Sequence, residues 1–248
     1  MAKRTLVVGD IHGEIFALER VLSQFPSLDE NDTVVFLGDY LDRGPDSAAV
    51  ISRLRTLPQT LSAQVVCLRG NHEDAWLRVC EEGWDEFVLP PAHGCLATLR
   101  SFTGSSAPVS TPPSDAELTL LTTGKFFPDE VITWMDSLPF WYEDDHGIYV
   151  HAGLPRADSE FLHPRHCHPP AIVAWRRTED FVRNYHGKRI LFGHTNVTLL
   201  PPELSTYTPD DPADLWESEY ALGLDTGCGM GGFLTAIELP EMRVFESR

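Results

Sequence analysis

The sequence predicts an α/β fold organised on a parallel sheet. Short, mostly apolar runs recur at residues 5–8, 34–37, 65–68, 147–150 and 189–192. In the first 80 residues each run is followed by a loop that sets Asp, His or Asn beside glycine, and then by a segment of helical character. A continuous apolar run of about four residues reads as a strand buried on both faces. Strand, loop and helix in alternation produce βαβ units.

Taken in order, residues 5–8 form the first strand, which stops at Gly9-Asp10-Ile11-His12-Gly13. Residues 14–24 carry apolar side chains at 15, 18 and 22, with another at 25, which is a helical period. Residues 34–37 form the second strand and end at Gly38, where the backbone can turn without a Cβ penalty. Asp39, Asp42 and Arg43 follow within five positions. A helix is expected over about 46–55, with Asp46 as its N-cap after Pro45. Residues 65–68 form a third strand, ending at Arg69-Gly70-Asn71-His72-Glu73, where the next helix starts.

Residues 81–140 are less regular. The stretch 101–115 is rich in Gly, Ser, Thr and Pro and reads as a loop, and 129–137 reads as an amphipathic helix. This region carries no catalytic signature and reads as packing and substrate-side decoration. Strands resume at 147–150, ending at His151-Ala152-Gly153, and at 189–192, ending at Gly193-His194-Thr195. Residues 201–219 form a Pro-rich acidic loop. The C-terminus reads as antiparallel: 221–224, 233–239 and 243–245, with turns at 227–232 and 240–241. No linker or internal repeat divides the chain, so residues 1–248 are expected to form one domain.

Composition bounds the function. A net charge of −18, from 19 basic and 37 acidic residues, argues against broad nucleic-acid binding, which needs a basic face. No apolar run is long enough to cross a bilayer, and Met1-Ala2-Lys3-Arg4 leads directly into a strand, so neither membrane span nor signal peptide is expected. The five cysteines (67, 80, 95, 167, 228) are scattered, odd in number and lack a CxxC pair. They suggest reduced thiols in a cytoplasmic protein.

The residues that follow the strands are the informative set: Asp10, His12, Asp39, Asn71, His72, His151 and His194. Imidazole nitrogens with carboxylate and amide oxygens, and no thiolate, suit Mn, Fe, Zn or Co. Singly, each is weak; an isolated Asp after a strand is most often a turn or cap residue. Five separate strands that each end in a ligand type next to glycine are a conjunction that chance does not readily supply.

Gly9-Asp10-Ile11-His12-Gly13, Gly38-Asp39-Tyr40-Leu41-Asp42-Arg43-Gly44, Gly70-Asn71-His72-Glu73, His151-Ala152-Gly153 and Gly193-His194 resemble, in that order, the signature of the phosphoprotein phosphatase family of metallophosphoesterases. Gly44-Pro45-Asp46-Ser47 and Leu224-Asp225-Thr226-Gly227-Cys228 with Gly231-Gly232 resemble its bacterial branch. That branch includes serine/threonine protein phosphatases and symmetrical diadenosine tetraphosphatases. The resemblance implies a calcineurin-like fold, a central β-sandwich flanked by helices with a dimetal site at strand carboxyl ends. It places one divalent ion on Asp10, His12 and Asp39, and a second on Asp39, Asn71, His151 and His194, with manganese first and iron or zinc as alternatives. It implies direct in-line attack on phosphorus by a hydroxide bridging the two metals, with no phosphoenzyme. Arg43 would fork onto the phosphate. His72 would protonate the leaving oxygen, and Asp42 would fix its tautomer. A second phosphate-binding arginine is expected in Trp175-Arg176-Arg177, with Arg177 favoured and Arg176 left open. The histidine-rich segment 163–168 fits no structural zinc spacing and reads as a loop near the site mouth with no metal of its own.

The first expectation is a phosphatase for phosphoserine and phosphothreonine in proteins, because Asp42 stands intact beside Arg43. The alternative is a diadenosine tetraphosphate hydrolase, suggested by the Asp-Thr-Gly-Cys tail. A catalytically dead phosphate-binding scaffold is the third reading. Expected partners are a phosphorylated protein or a nucleotide, with neither nucleic acid nor membrane.

Overall fold

Three parallel strands open the chain: β1 (Thr5–Val8), β2 (Thr33–Phe36) and β3 (Gln64–Cys67). The computed structural model describes residues 3–176, 179–206 and 214–248. Helices α1 (Ile15–Leu22), α2 (Ser47–Thr60) and α3 (Asn71–Glu82) follow the three strands in turn. Asp46 caps α2 by accepting the Ala49 N–H. That helix runs on to Thr60, past the expected end at 55, with Pro58 in its last turn.

The middle is more helical than its composition suggests. It holds α4 (Asp85–Val88), α5 (Cys95–Thr103), α6 (Asp115–Thr123) and α7 (Asp129–Ser137). The expected loop at 101–115 shortens to the stretch between α5 and α6. Then come β4 (Trp141–Glu143), β5 (Ile148–Val150), the ribbon β6 (Arg156–Ala157) and β7 (Glu160–Phe161), α8 (Ile172–Trp175), α9 (Glu179–Asn184) and β8 (Ile190–Phe192). The chain finishes with β9 (Trp216–Glu217), β10 (Ala221–Gly223), β11 (Thr235–Leu239) and β12 (Arg243–Glu246).

The strands build two five-stranded sheets, in the orders β12-β11-β1-β2-β3 and β4-β5-β8-β10-β9. Alternation assigns their faces. Val7, Val35, Val66 and Ile237 of the first sheet meet Tyr149, Leu191 and Leu222 of the second in one buried cluster. Leu6, Val8, Val34 and Phe36 point the other way, into a core shared with α1, α2, α3, α5, α6 and α7. Ile148, Val150, Ile190 and Phe192 pack outward against α8 and α9. The result is a β-sandwich with helices on both outer faces.

The antiparallel reading of the C-terminus needs correcting at β10. That strand lies in the second sheet, parallel to β8 and antiparallel to β9, while β11 lies in the first sheet between β1 and β12. Both runs are buried on both faces, and each takes an interior place. A hairpin between them would have left an apolar edge in water.

Candidate active site

The carboxyl ends of the strands converge on one cluster. Asp10 lies two residues past β1, Asp39 three past β2 and Asn71 four past β3; His151 directly follows β5, and His194 lies two past β8. The loops there hold non-glycine residues in left-handed backbone: His12 (φ 46°), Asp39 (54°), Asp42 (71°), Arg43 (67°) and His194 (65°). Such conformations are costly for L-residues and cluster at functional sites.

Asp39 divides its carboxylate between two groups. Oδ2 lies 3.6 Å from His12 Nε2 and 3.8 Å from His72 Nε2, and Oδ1 lies 3.2 Å from His151 Nε2. His12, Asp39 and His72 converge as one set of ligand atoms and Asp39, His151 and His194 as another. Asn71 Oδ1 lies 2.9 Å from His151 Nε2 and 2.7 Å from His194 Nδ1.

Hydrogen bonds fix two tautomers. His12 Nδ1 meets the Leu41 carbonyl (2.8 Å) and His151 Nδ1 the Leu37 carbonyl (2.9 Å), so both Nδ1 atoms donate. His12 Nε2 accepts from Arg43 Nη1 at 2.9 Å, so its one lone pair is engaged by the guanidinium here and becomes available to a cation only when Arg43 turns away. Asp10 Oδ2 accepts the His194 N–H, while Oδ1 is buried with no hydrogen-bond partner. An orphaned buried carboxylate oxygen is expensive, and a cation would satisfy it. Together with the converging imidazoles, it shows that the residues present fit divalent metal ions.

The electrostatics agree. Burial, with the nearby charge of Asp225, raises the Asp10 carboxyl well above its usual range. Burial works against the Asp39 carboxylate too, but His151 and His72 outweigh it and hold its pKa well down. Burial is likewise outweighed at His151, which Asp39 pushes up to about 10. Burial and then His151 push His194 down to about 3. Burial and the Arg43 charge depress His12. At His72, burial is overcome by Asp39 and Asp42, and the pKa lies above the ordinary histidine value.

His72 and Asp42 form a buried dyad with Nδ1 and Oδ2 2.6 Å apart. Trp76 Nε1 donates to both Asp42 oxygens (3.0 Å each), and the Thr98 hydroxyl donates to Oδ1 (2.6 Å). Glu73, fully buried, accepts the N–H groups of Gly70, Asp39 and Tyr40 and so staples two loops together. Burial and Asp39 raise its carboxyl to about 7.

Arg43 stands at the cluster edge, with Nη1 also 2.9 Å from Met230 Sδ. Beside it opens a cleft of about 860 Å³ lined by Arg43, Arg183, His194, Asn196, Leu199 and Asp225, among others. Arg177 lies outside the described residues; Arg176 is exposed at the end of α8, next to Trp175, whose Nε1 donates to Asp74 Oδ2 (2.8 Å). In the 163–168 segment, His163 Nε2 meets Glu143 Oε2 at 3.0 Å, and Lys188 pairs with the other Glu143 oxygen at 3.1 Å. The His163 bond staples the segment to β4.

Sequence reasoning missed Asp225, Glu73, Trp76 and Thr98 as parts of the site. Asp225 carried a signal: like Asp10, it stands two residues beyond the end of its strand. Thr98 carried none, and the view of the middle region as packing and decoration is corrected by its bond to Asp42.

The comparisons accord with this geometry. Along 253 aligned residues the chain is 24% identical to PrpE, an asymmetrical bis(5'-nucleosyl)-tetraphosphatase of Oceanobacillus iheyensis, covering 95% of this chain and 88% of the relative. It is 28% identical over 180 residues to a symmetrical bis(5'-nucleosyl)-tetraphosphatase of Pectobacterium atrosepticum, covering 72% of this chain but only 50% of the relative's length. A 70-residue stretch, 27% of this chain and 22% of the relative, is 39% identical to the catalytic subunit of serine/threonine-protein phosphatase 6 of Drosophila melanogaster. The cold-active protein-tyrosine phosphatase of a psychrophilic Shewanella species shares the fold, with a TM-score of 0.58 at 15% identity over 98% of this chain and 77% of that one. The calcineurin-like phosphoesterase model matches residues 3–197. With that match over the strand-end cluster described above, the chain belongs to the calcineurin-like phosphoesterase family of metal-dependent hydrolases.

Proposed function

We propose that the chain hydrolyses phosphoserine and phosphothreonine monoesters in proteins. The observation that carries this reading is the His72–Asp42 dyad, buried and closed at 2.6 Å. An alkoxide leaves about as badly as hydroxide, whose conjugate acid has a pKa of about 16. A nucleotide phosphate, with a second pKa of about 6, leaves without much help. A histidine locked beside the cluster as proton donor answers the first need far more than the second.

Asp10, His12 and Asp39 would hold one divalent ion, and Asp39, Asn71, His151 and His194 the other, with manganese as our first choice. The ions supply Lewis-acid neutralisation of the phosphoryl charge and a water activated near neutral pH. Arg43 swings from His12 and Met230 to fork onto two phosphoryl oxygens, a grip a lysine cannot copy. Asp42 holds Nδ1–H, so His72 presents its Nε2 proton to the leaving oxygen. Arg177 is proposed as a second clamp.

Hydrolysis of dinucleoside tetraphosphates is the second reading, supported by the name of the relative that aligns along 95% of this chain. The test is His72→Asn in metal-loaded enzyme. Turnover of a phosphothreonine peptide is expected to fall about 100-fold or more. Turnover of p-nitrophenyl phosphate, whose leaving group departs unprotonated near neutrality, is expected to fall far less. Equal losses on both would overturn the reading of His72.

A further inference from the structure

We propose that Thr98, from a helix outside every signature motif, is the positioning residue that fixes the rotation of the Asp42 carboxylate and thereby aims the His72 proton. The proposal rests on the reading of His72 as proton donor.

Thr98 is fully buried on α5. Its Oγ1 lies 2.6 Å from Asp42 Oδ1, receives the Asp42 backbone N–H at 2.9 Å and lies 3.0 Å from Ser47 Oγ. A hydroxyl has one proton and two lone pairs. The Asp42 N–H can only donate, so it takes one lone pair. The short contact to Oδ1 takes the proton, which leaves Ser47 to donate to the second lone pair. Every bonding site of the hydroxyl is thus in use, and two of the three grip the same residue.

The grip is directional where its neighbour's is not. Trp76 Nε1 stands 3.0 Å from both Asp42 oxygens and does not distinguish them. Thr98 bonds Oδ1 alone, which turns Oδ2 toward His72 Nδ1. It also holds the Asp42 amide, and Asp42 sits at φ 71°, a conformation that persists only when its surroundings impose it. Without the hydroxyl, the Asp42 N–H keeps Ser47 Oγ as acceptor at 3.1 Å and so its place in the loop, but the carboxylate loses the bond that sets its plane toward the imidazole.

The test compares Thr98→Val, Thr98→Ala and Thr98→Ser on the two substrates used for His72→Asn. Thr98→Val is expected to lower kcat on the phosphothreonine peptide about 10- to 100-fold, the usual effect of losing an outer hydrogen-bond partner. KM, bound metal and p-nitrophenyl phosphate turnover are expected to change little. Thr98→Ser restores the hydroxyl and is expected to restore peptide turnover, whereas Thr98→Ala, of similar size, is not; this pair decides the matter if the valine packs badly. Equal loss on both substrates, or Ser and Ala behaving alike, would overturn the proposal. If His72→Asn is selective for the peptide and the Thr98 variants are not, only the role of Thr98 falls. If His72→Asn is itself unselective, the proton-donor reading falls and takes Thr98 with it.

Discussion

Asp39 shows at the scale of one residue how the site is made. Its two oxygens serve two sets of imidazoles, its N–H is held by Glu73, and its backbone is left-handed. Asp10 is placed with comparable closeness: a Cβ on Gly193 would come within 1.9 Å of its Oδ1. No side chain fits there without moving the orphaned oxygen. Gly193→Ala is therefore expected to leave the fold intact by circular dichroism while cutting bound metal and activity together. Retention of both metal equivalents, counted by elemental analysis, would show that Asp10 is not a ligand. Asp10, His12, Asp39, Asn71, His72, His151 and His194 were legible in the sequence because a strand end, a glycine and a ligand type stand together. Trp76 and Thr98 were not, because their roles depend on how α3 and α5 meet, and no local pattern records that approach.

The helices between 85 and 123 are the element-scale surprise. Glycine, serine and proline around them masked α5 and α6, both of which end at a left-handed glycine, Gly104 and Gly124. In α6, Ser114 and Glu117 make a capping box: Glu117 Oε2 accepts the Ser114 N–H at 2.8 Å. Glu117 also binds Arg100, buried on α5, at 2.8 Å, so one carboxylate ties the two helices together. The Arg100 bond and then the Ser114 N–H lower its pKa from the ordinary 4.5 to about 2. Because the folded-state pKa is depressed, its contribution is complete above about 4.5 and is lost as pH falls through that value toward about 2. Glu117→Gln is expected to cost about 1–2 kcal/mol at pH 7 after allowing for partial exposure. In urea unfolding, the gap from the native chain should close below pH 4.5. A gap that persists to pH 2 would assign the loss to packing. Since α5 carries Thr98, this pair also steadies the helix behind the dyad.

For the molecule as a whole, the sandwich makes one site from two sheets. The candidate ligands follow β1, β2 and β3 on one side and β5 and β8 on the other, so the cluster forms only when the sheets are packed. Asp144 joins them away from the site, accepting the Thr5 hydroxyl of one sheet at 2.6 Å and the Tyr149 hydroxyl of the other at 2.9 Å. The first parallel strands were readable because apolar runs and helical periods alternate. The crossing from β10 to β11 was not, because two buried strands separated by a glycine-rich turn look the same in sequence whether they pair or part. No helix among the described residues is long and apolar enough to cross a membrane.

Substrate choice is where the cluster, the cleft and the dyad act together. The most direct measurement incubates the metal-loaded native enzyme with a phosphothreonine peptide and diadenosine tetraphosphate at equal concentration and compares kcat/KM. The peptide is expected to be favoured about tenfold or more, since a locked proton donor matters most for an alkoxide. A preference for the dinucleotide, with chromatography resolving its cleavage products, would contradict it and assign the site to phosphoanhydride hydrolysis.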